Sequence, residues 1–302
     1  IKIVNFFVDK GVKVTYTESV IQKYNTSYVT REEPIDTEIP LAILINERSA
    51  SASEIIAGSL QDLDRAVIIG NQSFGKGLVQ RELPLSYSTQ LKVTISRYFT
   101  PSGRSIQKMD YDTDLVEKRN IQDKDQVVYT KNNRKVYGGG GIMPDKLLEE
   151  NVDQDFIRDL KNNLHFFDFT SEYLKNKEKP NMDNFELTNT DWRNFKQFMR
   201  DREVFTKTME AWKNFETIAK DETTESTLQT LENEFNNQLG QVLDQKLDAH
   251  RKTIEQNLTD IIIRRTDYQN AAYNYAAKNN EVVLMAKNIL NNKKEYQSIL
   301  GI

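Results

Sequence analysis

Glycine and proline are distributed very unevenly along this chain of 302 residues. Residues 1–150 contain 10 of the 12 glycines and five of the six prolines. Both residue types favour turns and are poorly tolerated inside helices. The first part therefore suits short strands and helices joined by tight turns, whereas the second suits long helices. We predict an α/β domain over residues 1–150, followed by an all-α domain over residues 151–302.

Composition excludes several kinds of active site. The chain has no cysteine, which rules out thiol nucleophiles, thiolate metal sites and disulfides. Its two histidines, His165 and His250, are far apart in the sequence, so a catalytic zinc site or a Ser-His-Asp triad is hard to build. A net charge of -4 gives no broad electrostatic attraction to nucleic acid, and a mean hydropathy of -0.66 argues against a membrane-embedded protein.

Residues 1–150 contain one clear supersecondary pattern. Leu41–Asn46 is a nearly continuous apolar run, typical of a strand that is buried on both faces. Ser53–Asp64 has apolar residues at helical spacing, and Val67–Gly70 is a second short apolar run. Strand, helix and strand in this order predict a parallel βαβ unit. The alternating segments Val12–Tyr16 and Leu91–Phe99 predict two more strands, the latter half-exposed.

Residues 151–302 predict helices and no identifiable chemistry. Asp191 is a candidate N-cap for a helix beginning at Trp192. Apolar residues at helical spacing predict one long amphipathic helix from Leu228 to Ile261 and a final helix over Val282–Leu300. Asn176–Asn184 is predicted to be a loop between helices. The aromatic residues of this part recur at helical spacing, which favours a packed core over a binding groove.

Three alternating serines, Ser49, Ser51 and Ser53, join the end of the first predicted βαβ strand to the start of its helix. Active sites of α/β folds gather at the carboxyl ends of strands. A serine hydroxyl there lies beside the free N–H groups of a helix N-terminus, which can hold a developing oxyanion. The structural alternative is a capping box formed by Ser51 and Glu54. Taken alone, this stretch favours the cap.

A lysine lies between two glycines just after the second strand of the predicted βαβ unit. Residues 73–80 are Ser-Phe-Gly-Lys-Gly-Leu-Val-Gln, and the glycines allow a tight turn that brings Lys76 inward. A phosphate-binding loop is not matched, because Gly77 stands where that motif needs Ser or Thr. Taken alone, this stretch favours a surface lysine in a glycine turn.

Together, the two stretches resemble the C-terminal processing peptidases, also called tail-specific proteases, which are serine peptidases with a Ser-Lys dyad. The pattern around the family's nucleophile is Asn, then Ser-Ala-Ser-Ala-Ser-Glu-Ile, matched here by Asn46 and residues 49–55. The family's lysine motif, Phe-Gly-Lys-Gly-x-Val-Gln, is matched at residues 74–80. Further matches lie at residues 98–107 and 139–145. Several ordered motifs over about half of the chain make this resemblance specific.

The resemblance implies a crotonase- and ClpP-like serine peptidase domain, present in part, and assigns roles within it. Ser51 is the implied nucleophile and Lys76 the general base. Gln80 matches the position that holds the lysine in place, and the backbone N–H of Ala52 matches one oxyanion donor. Neither a metal nor another cofactor is implied.

A lysine takes a proton from a serine at working pH only when its pKa falls from about 10.4 toward 7–8. Burial in a dry pocket lowers it in this way. Phe74, Leu78 and Val79 are the apolar residues expected to wall such a pocket.

The implied function is that of a serine endopeptidase, which cleaves unfolded or tail-exposed proteins through an acyl-enzyme. Its partners would be protein or peptide substrates and not nucleic acid. It could form homo-oligomers through the helical domain. The resemblance also implies a location in the periplasm or cell envelope. In the family, a PDZ domain and a Gly-Gly turn that supplies the second oxyanion donor precede the part matched here. We therefore expect the chain as given to be catalytically incomplete.

The alternative function is a non-catalytic binding or scaffolding protein on the same fold, in which Ser51 is only an N-cap. The presence of both Lys76 and Gln80 argues against this alternative, because a protein that has lost the catalytic activity usually also lacks the catalytic lysine.

Overall fold

The computed structural model describes residues 1–108, 127–148, 154–175, 185–202, 204–267 and 269–302. The chain forms two compact units. We call Ile1–Glu149 together with Glu281–Ile302 the α/β unit, and Glu150–Asn280 the helical unit. The sequence pattern assigned all of residues 151–302 to one helical domain, whereas in the structure the last two helices belong to the α/β unit.

The described part of the α/β unit consists of short strands and a few helices. In chain order these are α1 (Lys2–Asn5), β1 (Lys13–Glu18), a 3₁₀ helix (Gln22–Tyr24), β2 (Thr26–Val29), β3 (Ala42–Ile45), α2 (Ala52–Asp62), β4 (Val67–Gly70), β5 (Leu78–Pro84), β6 (Gln90–Phe99), β7 (Val127–Tyr129), β8 (Lys135–Tyr137), β9 (Lys146–Leu147), α10 (Glu281–Asn291) and α11 (Lys293–Leu300).

The predicted βαβ unit is confirmed as β3-α2-β4, with β3 and β4 parallel from the pair Ala42–Val67 to the pair Ile45–Gly70. The strand order is β3-β4-β9, and the central strand β4 is buried throughout. Strand β3 was expected to be buried on both faces, but Leu44 is 42% exposed. Among the described residues, β3 lies at the edge of this sheet and pairs with β4. An apolar run in the sequence does not reveal whether a strand lies at an edge.

Alternate residues of β4 serve two different cores. Ile68 packs with Ala57 and Leu60 of α2, whereas Val67 and Ile69 pack with residues of α10 and α11. The C-terminal helices therefore cover one face of the parallel sheet. The single helix predicted over Val282–Leu300 is interrupted at residue 292, where an asparagine side chain caps the start of α11.

A second sheet is antiparallel, with strand order β2-β1-β6-β5. Both strands predicted from alternating residues are confirmed as β1 and β6, and β6 is half-exposed as expected. Val14 of β1 and Tyr98 of β6 pack in the same core as α2. This shared core brings β6, the start of β5 and the start of α2 together.

The described part of the helical unit is formed by helices. These are α3 (Gln154–Asn162), α4 (His165–Lys175), α5 (Asn189–Arg200), α6 (Thr206–Ala219), α7 (Glu225–Ala249), α8 (Arg251–Thr266) and α9 (Gln269–Asn279). Their core is rich in aromatic residues, among them Phe166, Phe195 and Trp192. None of the helices in the described ranges is both long and apolar enough to cross a membrane. The predicted loop Asn176–Asn184 lies outside the described residues.

Two details of the helical prediction are wrong. Helix α5 is capped by Thr188, whose hydroxyl accepts a hydrogen bond from the Asp191 N–H, while the Asp191 carboxylate accepts one from the Thr188 N–H. Asp191 is thus the N3 residue of a capping box, the third residue of the helix, and not the N-cap itself. The long helix predicted over residues 228–261 is two helices, because the chain leaves helical geometry at His250.

Candidate active site

Ser51 lies in the turn between β3 and α2 and has an unusual backbone conformation, with φ 58° and ψ -116°. An ordinary N-cap residue has extended backbone angles. For a residue other than glycine, these backbone angles destabilise the folded state by about 1–3 kcal/mol. The conformation persists only where the surrounding structure fixes it. A strained strand-to-helix turn that presents an exposed serine hydroxyl is the arrangement of a nucleophile elbow. Ser51 is exposed, as that arrangement requires.

The two neighbouring serines have ordinary structural positions. The hydroxyl of Ser49 accepts a hydrogen bond from the Asn46 N–H at 3.1 Å and so closes the turn after β3. Ser53 lies in the first turn of α2, with an exposed side chain. Ser51 alone of the three serines has a positive φ. The backbone conformation therefore distinguishes Ser51 from Ser49 and Ser53.

Glu54 is completely buried and accepts four hydrogen bonds. One carboxylate oxygen accepts from the backbone N–H of Ser51 at 2.9 Å and of Lys76 at 2.8 Å. The other oxygen accepts from the Gly75 N–H at 2.6 Å and the Ser73 hydroxyl at 2.5 Å. These four donors replace the water that a buried carboxylate loses. The predicted capping box of Ser51 and Glu54 is present. The three more distant donors to Glu54 were not predicted, because the local sequence pattern does not show them.

The lysine turn passes very close to another segment of chain. Gly75 has a φ of 87°, and a Cβ at this position would lie 2.5 Å from the Cβ of Lys108. The Lys108 N–H donates to the Gly75 carbonyl at 3.0 Å, and the Gly77 N–H donates to the side-chain oxygen of Gln107 at 2.8 Å. The glycine beside Lys76 is therefore needed both for its backbone angle and for the lack of a side chain.

The glycine-rich stretch at residues 139–145 is hydrogen-bonded to Ser73, which begins the lysine turn. The Ser73 hydroxyl, which donates to Glu54, also accepts from the Ile142 N–H at 2.6 Å. The Ser73 N–H in turn donates to the Ile142 carbonyl at 3.1 Å. Two motifs that are far apart in the sequence thus form one hydrogen-bonded layer around Glu54.

Tyr98 of β6 contacts the backbone of both candidate catalytic residues. Its hydroxyl hydrogen-bonds the Lys76 carbonyl and lies 3.2 Å from the Ser51 carbonyl. The side chain is 4% exposed. Burial raises the pKa of Tyr98 well above its ordinary value, and the nearby Glu54 carboxylate raises this pKa further. The hydroxyl therefore stays protonated and remains a donor.

A cleft of about 990 Å³ opens beside the lysine turn. Its lining includes Lys76, Leu78 and Gln80, which are alternate residues of one extended segment and so face the same side. Charged side chains line it as well, namely Glu47, Arg48 and Lys108.

Lys76 is exposed in this structure and not enclosed by the dry pocket expected from the sequence. Phe74 lines the cleft but is itself 49% exposed. Val79 points into the core of the α/β unit, because it alternates with Leu78 and Gln80 along β5. Only two of the three expected apolar wall residues, Phe74 and Leu78, therefore face the cleft.

Ala52 is the first residue of α2, and its backbone N–H forms no hydrogen bond within the described residues. Such an N–H at a helix N-terminus is free to bind an oxyanion. The structure thus brings the backbones of Ser51 and Lys76 together at Glu54, and Gln80 lines the same cleft as Lys76. Both histidines lie in the helical unit.

Two family models match the chain, one for each part. Residues 1–116 match peptidase family S41, and residues 156–290 match the C-terminal helical domain of a probable PDZ-protease. The second match agrees with the helical region that follows the mixed α/β region.

Curated relatives are similar to the first part of the chain. A carboxy-terminal-processing protease of Bartonella bacilliformis is 41% identical over 124 residues, which are 41% of this chain and 28% of that protein. A chloroplastic C-terminal processing peptidase of Tetradesmus obliquus is 37% identical over 115 residues, 38% of this chain and 24% of that protein. The chain thus spans only about a quarter of the length of these relatives.

Among solved structures, the photosystem II D1 C-terminal processing protease is 29% identical, with a TM-score of 0.36 over 50% of this chain and 30% of that chain. Residues 1–116 thus match the model of peptidase family S41, and over this part the chain is similar to the C-terminal processing peptidases.

Proposed function

We propose that the protein is a serine endopeptidase in which Ser51 is the nucleophile and Lys76 the general base. The observation that carries the proposal is the strained backbone of Ser51, held at the start of α2 by the same carboxylate that holds Lys76. A serine that served only as a cap would need no positive φ, since extended angles satisfy an N-cap. The conformation therefore favours the catalytic role over the alternative of a non-catalytic binding protein.

In the proposed reaction, the neutral amine of Lys76 takes the proton of the Ser51 hydroxyl as the serine oxygen attacks the substrate carbonyl. The Ala52 N–H hydrogen-bonds the oxyanion of the tetrahedral intermediate. The C–N bond then breaks, and the Lys76 ammonium gives its proton to the leaving amine. Water attacks the acyl-enzyme by the same route, with Lys76 again as the base, and releases the carboxylic acid and free Ser51.

Because Lys76 is exposed, we propose that the bound substrate itself helps to make Lys76 an effective base. An ammonium in water holds its proton tightly, and loss of water makes the neutral amine more favourable. A peptide lying in the cleft displaces water from around Lys76, and Phe74 and Leu78 offer it apolar contacts. In this proposal, the lysine becomes an effective base when the cleft is filled.

Unfolded or tail-exposed polypeptides are the proposed substrates, because an extended segment can lie along a cleft lined by Lys76, Leu78 and Gln80. The names of the relatives point the same way, since they are described as processing proteases that act at carboxyl termini. An envelope or periplasmic location and assembly through the helical unit stay predictions. Gln80 is proposed to orient the Lys76 amine, since both side chains line the cleft.

The test is covalent labelling of the full-length protein with a fluorophosphonate, which reacts with activated serines. We expect one labelled peptide, identified by mass spectrometry as the one containing Ser51. Ser51→Ala should abolish labelling, whereas the matched variants Ser49→Ala and Ser53→Ala should keep it. Labelling that persists in Ser51→Ala, or that is lost in Ser49→Ala alone, would contradict the assignment of the nucleophile. No labelling of the wild-type protein would favour the non-catalytic alternative.

A further inference from the structure

The same two side chains, those of Glu54 and Tyr98, contact the backbone N–H and carbonyl groups of both Ser51 and Lys76. The N–H groups of both residues donate to one oxygen of Glu54. The carbonyl groups of both residues are in contact with the hydroxyl of Tyr98. One residue thus anchors the two N–H groups and another anchors the two carbonyls, although Ser51 and Tyr98 are 47 positions apart in the sequence.

We infer that Tyr98 is a positioning residue for catalysis, whose hydroxyl fixes the backbone of Lys76 relative to that of Ser51. This inference rests on the proposed function, because it takes Ser51 and Lys76 as the reacting pair. Tyr98 does not touch the substrate or the reacting atoms in this account. It acts through the two backbones that carry them.

The two contacts of the hydroxyl are not equivalent. A hydroxyl has one hydrogen to donate. The Ser51 carbonyl already accepts from the N–H groups of Glu54 at 2.9 Å and Ile55 at 3.0 Å, as expected at the first turn of a helix. The Lys76 carbonyl lies outside any helix or sheet ladder, and the Tyr98 hydroxyl is the donor that reaches it. The hydroxyl therefore orients chiefly Lys76, while its contact with Ser51 sets the distance between the two turns.

The rest of Tyr98 is fixed independently of its hydroxyl. Its ring packs in the core of the α/β unit, and its N–H donates to the Gly77 carbonyl at 3.0 Å. Its backbone pairs with Thr17 of the neighbouring strand. Tyr98→Phe should therefore keep the ring, the strand and the bond to Gly77 in place and remove only the contacts of the hydroxyl with the Lys76 and Ser51 carbonyls. The high pKa of the buried Tyr98 hydroxyl keeps the donor available throughout the working pH range.

The experiment measures fluorophosphonate inactivation kinetics of the full-length protein. For Tyr98→Phe, we expect kinact to fall about 10- to 100-fold with little change in KI, because the pair is misplaced but the cleft is intact. The matched control is Tyr16→Phe, which removes the hydroxyl of a tyrosine on β1 that stacks on Phe99. Its kinact should equal that of the wild-type protein. An unchanged kinact in Tyr98→Phe, with wild-type Ser51 labelled normally, would overturn this inference and leave the proposed function standing.

Two further measurements separate positioning from general destabilisation. Hydrogen–deuterium exchange of Tyr98→Phe should increase in the peptides covering residues 46–56 and 73–80 and not in β4. Placing 4-aminophenylalanine at position 98 restores a donor at the same place and should restore kinact. Exchange that increases throughout the α/β unit, or failure of the amino group to restore kinact, would overturn the inference. If wild-type Ser51 were not labelled at all, both this inference and the proposed function would fall.

Discussion

The two units of this protein are held together by different interiors. The α/β unit buries charged groups in hydrogen-bonded networks, including Glu54, Asp62 and Arg104. The helical unit buries aromatic rings, and Phe195 is in contact with Phe169 and Trp192. Directional hydrogen bonds fix the position of particular backbone atoms, whereas packed rings fix only the spacing of helices. The buried hydrogen bonds of the α/β unit therefore fix particular backbone atoms, among them those of the candidate residues Ser51 and Lys76.

Helix α2 shows this most clearly, because a buried carboxylate lies near each of its ends. Glu54 near its start binds the lysine turn. Asp62 at its end pairs with Arg104 at 2.8 Å, and both side chains are fully buried. Burial lowers the pKa of the Arg104 guanidinium, and the charge of Asp62 and its hydrogen bond act in the opposite direction. The helix that carries the candidate nucleophile is thus fixed at both ends by polar contacts.

The largest expected effect is on the chemistry of the α/β unit. Lys76→Arg keeps a long cationic side chain, but guanidinium does not give up its proton at working pH. We expect hydrolysis of an unfolded substrate such as casein by the full-length protein to fall about 10³-fold or more, as members of a catalytic unit fail together. Lys92→Arg, at an exposed position of β6, is the matched control and should keep activity. Substantial activity in Lys76→Arg would exclude the general-base role.

The next effect contrasts a buried ion pair with an exposed one. Arg104→Ala leaves Asp62 buried without its charged partner and should destabilise the α/β unit by about 3–5 kcal/mol. Arg200→Ala removes the pair with Asp244 in the helical unit, where the arginine side chain is 52% exposed, and should cost about 1 kcal/mol or less. Hydrogen exchange of β4 and of α5 measures the two stabilities separately. Equal losses of stability in the two variants would contradict the expectation that the buried ion pair contributes more than the exposed one.

A third change tests the aromatic interior. Phe195→Ala removes a fully buried ring and should destabilise the helical unit by about 3–5 kcal/mol. Both tryptophans of these 302 residues, Trp192 and Trp212, lie in the helical unit, so the tryptophan fluorescence of this chain during urea unfolding reports on that unit. Labelling of Ser51 should be retained at low urea. Loss of labelling would show that the helical unit contributes to the site.

The smallest effect is a pH dependence of the helical unit. His165 is buried in α4, and burial, followed by the charge of Arg202, lowers the pKa of His165 below its ordinary value of 6.5. The unfolded chain therefore takes up this proton first as the pH falls. The contribution of the neutral histidine is complete above about pH 6.5 and decreases below it.

The measurement is the Tm of the helical unit from tryptophan fluorescence between pH 7.5 and pH 5. We expect the wild-type Tm to decrease by a few degrees more than that of His165→Leu over this range. Parallel decreases in the two proteins would mean that carboxylates alone account for the effect.

The residue types and their order determined much of this protein. Apolar runs and helical spacing predicted the β3-α2-β4 unit and the antiparallel strands β1 and β6, because these patterns reflect local conformation. The ordered motifs around Ser51 and Lys76 indicated the peptidase family, since reactive groups need particular residues in a fixed local arrangement. The catalytic roles of Ser51 and Lys76 stay predictions from the same source.

The tertiary structure decided which surfaces and distant groups meet. It assigned α10 and α11 to the α/β unit, left Leu44 at a sheet edge and left Lys76 exposed. It also brought Tyr98 to the carbonyl groups of Ser51 and Lys76, 47 and 22 positions away. Local sequence periodicity records which side of an element is apolar but not what covers that side. Contacts over such separations form only when the whole α/β core closes, so no short stretch of sequence contains them.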